Sequence, residues 1–156
     1  LGQIVYYIGM NNQSLAEFVK ANPIGVLSTM STDGIASAAV YYVVDTDGTL
    51  YFNAHRGSEK IKNIAMDPRV SFVVFQQNPA VTLQAKGRAE VIEDISHIEE
   101  TYTALLHRIF QNGAVPPILK TGGDQMDLIK IVPTWMRLAD YSTKKKGEGM
   151  FTMIVG

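Results

Sequence analysis

Two Asp-Gly dipeptides, Asp33-Gly34 and Asp47-Gly48, divide the first third of the chain into three β-rich runs. Asp-Gly favours tight hairpin turns, because glycine takes the positive φ that such turns need at no steric cost. The runs are IGVLSTMS (24–31), IASAAVYYVVD (35–45) and TLYFN (49–53). Turns this close together predict an antiparallel meander.

The rest of the chain extends that pattern. RVSFVVF (69–75) reads as a core strand, and VTLQAKGRAEVI (81–92) as a longer one with a bulge at Gly87. MDLIKIVPTWMRLADY (126–141) reads as a strand bent near Pro133, and residues 150–155 as a last strand. Helices interrupt the set. Ser14 and Glu17 form a capping box for a short helix over 14–22, whose apolar residues are Leu15, Phe18 and Val19. Ser58 is placed to cap a helix to Met66, which Asp67-Pro68 ends. A longer helix is expected over about 95–111, with Ile98, Tyr102, Leu105, Leu106 and Ile109 on one face. The fold class is therefore mainly β with short helices. Six or seven antiparallel strands close best as a small barrel, since closure removes exposed edges.

The 156 residues suit one compact domain, and 46% hydrophobic residues can supply its core. The expected division is an N-terminal extension over 1–13, part of it not native, and a single domain over 14–156. Met10 followed by NNQSLAEF resembles a start; a first edge strand over Ile4–Ile8 is the other reading. The balance of 14 basic and 15 acidic residues gives no broad footprint for nucleic acid or an anionic membrane. No apolar run approaches the roughly 20 residues that cross a bilayer as a helix. The expected location is the cytoplasm.

Most familiar chemistries find no support. The absence of cysteine excludes disulfides, thiolate catalysis and cysteine-bound zinc. The histidines His55, His97 and His107 are too far apart for a metal motif. No G-x-S-x-G is present, and Thr121-Gly122-Gly123-Asp124 lacks the ending of a Walker loop. Asp33, Asp45 and Asp47 are accounted for as turn residues.

The informative stretch is GTLYFNAHRGSEKIKNIAMDPRVSFVVF, residues 48–75. A strand breaks after Asn53, and a short basic helix follows. Backbone amides at that helix N-terminus, the Ser58 hydroxyl and the charges of Lys60 and Lys62 suit a phosphate. Taken locally, a plain cap and a solvated lysine face is the commoner arrangement.

The run Ser58-x-Lys60-x-x-Asn63-Ile64-x-x-Asp67-Pro68-Arg69-Val70-Ser71 resembles the signature of the pyridoxamine 5'-phosphate oxidase-like, FMN-binding split-barrel superfamily. It follows D-x-D-G-x-L-Y-F, as in that family. Residues 34–42, Gly87-Arg88-Ala89-Glu90 and IVPTWMRL (131–138) are also similar, so the likeness spans about 14–141.

The resemblance implies a split β-barrel homodimer with FMN in a groove between subunits. Ala39, Val40 and Tyr41 would line the isoalloxazine ring, largely through backbone groups. Only one of Tyr41 and Tyr42 can face a groove, because they alternate. Phe52 and Asn53 would flank the ribityl–phosphate end, and Ser58, Lys60 and Lys62 would hold the phosphate. Trp135 and Arg137 could approach the partner's flavin, although packing is the commoner role for Trp135.

The chain departs from the true oxidases in two respects. Ser37, Tyr42 and Glu59 stand where those carry basic residues on the phosphate. The W-Q-G and R-L-H substrate motifs are missing, with Arg137-Leu138-Ala139 in place of the latter. Vitamin B6 is therefore not the expected substrate. The expected function is an FMN-binding oxidoreductase of unassigned substrate, with no side-chain acid or base nominated. The alternative is a non-catalytic or stress-related protein binding flavin, F420 or haem on the same scaffold.

Overall fold

The computed structural model describes residues 13–45, 47–93, 103, 105, 107, 126–142 and 151–156. Helix α1 (Gln13–Ala21) leads into β1 (Ile24–Ser31), β2 (Gly34–Tyr41), β3 (Val43–Val44) and β4 (Leu50–His55). Helix α2 (Glu59–Met66), β5 (Arg69–Gln76), β6 (Val81–Ile92), β7 (Met126–Asp140) and β8 (Phe151–Val155) follow. Ser14 thus lies inside α1 rather than capping it. The expected edge strand over 4–8 lies outside the described residues, as does most of the 95–111 helix. Thr103, Leu105 and His107 are helical, and Leu105 is buried as its stripe requires.

Every described pairing is antiparallel, in the order β2-β1-β5-β6-β7-β4-β3, with β8 added to β7. The Asp-Gly signals mark real turns. Gly34 (φ 147°) opens β2 and Gly48 (φ 92°) turns the chain towards β4. At the second turn Asp47 Oδ1 accepts a hydrogen bond from the Thr49 amide at 2.9 Å.

The strand expected over 35–45 is divided at Tyr42: its amide still donates to Pro23 O at 3.3 Å in the β1–β2 register, but proline has no N–H to return the bond and the ladder ends there. The two pieces stand at opposite ends of the strand order, so this bent strand curls the sheet round on itself. The split-barrel architecture follows, with seven expected strands appearing as eight because one is bent.

The long β6–β7 ladder forms the spine of the sheet. Its register shifts between Lys86 and Gly87: Lys86 pairs with Trp135, Gly87 with Pro133, and Thr134 is left over. The bulge forecast at Gly87 is therefore present, with its extra residue on the facing strand. Gly87 is required there, because a Cβ would lie 2.4 Å from Val132 O.

Alternation places one side of each strand in the core. Leu27, Phe52, Phe72, Leu83, Ile131 and Met136 are buried together. Tyr42 joins them and meets Phe72 edge-on, with ring centroids 5.0 Å apart. Leu15, Phe18 and Val19 of α1 complete the cluster, as their helical spacing predicts.

Candidate functional site

The break after β4 is built by one left-handed residue. Gly57 (φ 78°) turns the chain, and the Ser58 amide donates to His55 O at 3.0 Å. Ser58 then takes the extended conformation of an N-cap (φ −63°, ψ 159°), and its carbonyl accepts the first helical bond from the Lys62 amide. Its side chain makes no cap bond. The Ser58 Oγ is buried and has no hydrogen-bond partner, although the sequence reading made it a cap. Asn53 Oδ1, at the end of β4, is likewise buried and unpaired. A buried polar atom without a partner costs about 1–3 kcal/mol, so two of them beside one turn need an explanation.

The rest of the signature holds the helix in place. Asn63 and Thr29, both buried, are joined by a 3.0 Å hydrogen bond that pins α2 to β1. Asp67 stops the helix, with its amide donating to Asn63 O at 2.8 Å. Its carboxylate grips Arg69 through Nε and Nη2, at 3.0 and 2.7 Å. Those hydrogen bonds hold the half-buried Asp67 carboxyl down at about 2 and raise the Arg69 guanidinium.

The residues nominated from the sequence fall into three places. Ser58, Lys60 and Lys62 stand together at the start of α2, with Lys60 half-buried and Lys62 exposed. Ala39 and Tyr41 face outward from β2, opposite Val26 and Ile24 of β1. Val40 and Phe52 point into the core, so only their backbones are available to a ligand. Asn53 pairs with Leu128 near the start of β7, whereas Trp135 lies in the second half of that strand and pairs with Lys86. A single chain therefore does not bring Trp135 to the Ser58 turn. The Trp135 ring has cations on it from Lys86 (5.3 Å) and Arg137 (5.2 Å). Tyr41 stays partly exposed while Tyr42 enters the core, which settles the alternation.

Sequence reasoning missed the outer surface of β1, β2, β5 and β6. Ile24, Val26, Met30, Ile35, Val73 and Phe75 are all exposed there, with Ile35 at 72% and Phe75 at 62%. Beside them runs a groove of about 530 Å³, bordered by Arg69, Lys86 and Arg88. Among the described residues no group of His, Asp and Glu could hold a metal. No described helix is long and apolar enough to cross a membrane.

An antiparallel barrel bearing this helix-start turn defines a split-barrel class, and comparison with known proteins identifies it. The sequence profile of the pyridoxamine 5'-phosphate oxidase family matches residues 12–140, and the chain belongs to that family. No curated protein matches it. Solved structures share its fold. A conserved hypothetical protein of Mycobacterium tuberculosis, Rv2991, is 23% identical with a TM-score of 0.67, over 90% of this chain and 95% of its own. General Stress Protein 26 of Bacillus anthracis is 24% identical with a TM-score of 0.59, over 78% and 88%. A heme binding protein of Mycobacterium smegmatis is 19% identical with a TM-score of 0.62. That match covers 86% of this chain and 53% of the other.

Proposed function

We propose that this chain is a flavin-dependent oxidoreductase that binds FMN as a homodimer. The observation that carries the reading is the Ser58 hydroxyl: buried, released from capping, and without a partner. It stands where a helix N-terminus offers free amides and partial positive charge, which suits a phosphate. The residues present fit the group. Ser58 Oγ and the first α2 amides would donate to the phosphate, and Lys60 would add charge. The unpaired Asn53 amide would meet a ribityl hydroxyl. Ala39, Val40 and Tyr41 would border the ring. When bound, FMN would supply hydride transfer, and the protein would orient it and exclude water. The separation of Trp135 from the Ser58 turn supports its placement against a partner's cofactor, and the exposed apolar face of β1, β2 and β5 supports a second copy.

Purified protein titrated with FMN should quench the flavin fluorescence saturably. Ser58→Ala and Lys60→Ala should each weaken binding by about ten-fold, as expected for losing one charge-assisted contact. Unchanged FMN affinity in both variants, or no quenching by the parent chain, would sink the reading.

A second reading has its own support. Glu59 is exposed in the first turn of α2, next to the proposed phosphate, and Ser37 and Tyr42 add no charge. A binding protein without turnover, taking flavin, F420 or haem, would tolerate that weaker charge. Bound flavin that no nicotinamide donor reduces would favour it, as would a haem absorption band with no flavin uptake.

A further inference from the structure

Arg69 and Arg88 are direct cross-strand partners in the β5–β6 ladder, both exposed on the outer face. Like charges in that relation repel and destabilise a sheet. Lys86 lies two residues from Arg88 on the same face of β6, opposite Ser71. Asp67 answers only part of this charge, since its carboxylate is taken up by Arg69. Among the described residues neither Lys86 nor Arg88 has a carboxylate partner; the nearby Glu90 is paired with Lys130. Three cations thus converge with one anion between them.

They converge on a concavity. The groove of about 530 Å³ holds all three cations and no carboxylate among its lining residues. Ser71 contributes a hydroxyl, the Thr134 hydroxyl donates to Lys86 O at 3.3 Å, and Met30, Ile35 and Val70 make apolar wall. Thr134 is the residue left over by the β7 bulge. Bulges of this kind re-aim a side chain, and here the bulged residue borders the groove. The bulge also needs Gly87, so this corner of the groove is specified by sequence.

We infer that this groove is a binding site for a small organic anion, a carboxylate or phosphate monoester with a short apolar body. Arg88 and Lys86 supply the charge, Ser71 a hydrogen bond, and Met30 and Ile35 the apolar contact. An anion placed between Arg69 and Arg88 offsets their repulsion. The groove lies apart from the Ser58 turn of its own chain, and it shares Met30 and Ile35 with the apolar face proposed above to meet a second copy.

The test uses the full chain, without and then with FMN, titrated calorimetrically with phenyl phosphate, hexanoate and inorganic phosphate. Trp135, the single tryptophan, reports locally because the Lys86 ammonium rests on its ring. Saturable binding of phenyl phosphate or hexanoate is expected, with a change in Trp135 fluorescence. Arg88→Ala should weaken it by about ten-fold, while Lys20→Ala, an equal loss of charge elsewhere, should not. Arg88→Ala should also keep or raise the melting temperature, since it relieves the cross-strand repulsion, so lost binding cannot be blamed on unfolding. No saturable binding below ~10 mM would overturn the site. Equal weakening by Lys20→Ala would overturn it as unspecific charge. Inorganic phosphate binding as tightly as phenyl phosphate would overturn the organic-anion class. Because the first titration contains no FMN, its failure is distinct from failure of the flavin site.

Discussion

The two faces of the barrel strands are made from the same residues in alternation, yet they end in different conditions. On the inner side Leu27, Phe72, Val74 and Leu83 are buried against one another. On the outer side Val26, Val73 and Phe75 of the same strands are equally apolar and open to solvent. A half-buried antiparallel sheet normally shows polar residues on its open face. The outer face of β1, β2 and β5 is written as a second core that one chain does not close. Tyr51 marks the contrast: it alternates with the inward Phe52 on β4, yet it too is buried. The outer face is thus covered in one region and uncovered in another.

The largest expected effect lies inside. Phe52→Ala should cost about 3–5 kcal/mol in denaturant unfolding, the usual price of emptying a large buried ring. A loss below about 1 kcal/mol, typical of an exposed site, would erase the distinction between the faces.

Gly25→Ala probes the inner face from the opposite direction. A Cβ there would lie 2.3 Å from Phe72 Cζ, so the ring has to move. Overpacking of this kind costs about 1–3 kcal/mol. Phe72→Leu in the same chain should recover part of that loss, and a double-mutant cycle measures the coupling. Strict additivity would show that the two residues do not press on one another.

The covered part of the outer face has a signature in alkali. Burial, helped by the charges of Asp45 and Asp47, pushes the Tyr51 hydroxyl up to about 12. The unfolded chain releases this proton near 10, its ordinary value, whereas the folded chain keeps it. Stability is therefore full below pH 10 and falls as pH rises towards 12. Tyr51→Phe should flatten that limb of a pH–stability curve. An unchanged limb would show that Tyr51 is open to water.

The elements that carry this contrast were legible in the sequence, though the open apolar face was not, and the reasons are local. Asp-Gly turns, alternating runs and the Asp67-Pro68 stop act over a few residues, so β1, β4, α2, β5 and the start of β2 fell close to their expected bounds. The split at Tyr42 was not legible, because it follows from register: the β1–β2 pairing brings Pro23, which has no N–H, opposite Tyr42. Nor was the opposition of Arg69 and Arg88, since strand register decides which residues face each other. Ser58 is intermediate. Its position as N-cap was readable, but the direction of its hydroxyl depends on a rotamer. Phe52 shows the limit of a motif: it matches a pattern associated with a cofactor, yet its side chain fills the core.

The smallest expected effect on stability tests the open region and is the most informative. Phe75 and Ile35 are among the most exposed apolar side chains. In dilute monomer, Phe75→Gln with Ile35→Thr should change unfolding stability by no more than about 0.5 kcal/mol per site, the normal range for surface positions. If a second copy covers this face, the same pair should shift sedimentation from dimer to monomer at concentrations where the parent chain is dimeric. Stability measured at those concentrations should then fall for the variant alone, because association adds to the stability of the folded state by mass action. A variant that stays dimeric would move the interface elsewhere and leave the apolar face unexplained. A variant that loses several kcal/mol as a monomer would show that these side chains belong to the core, and the comparison of the two faces would fail at its starting point.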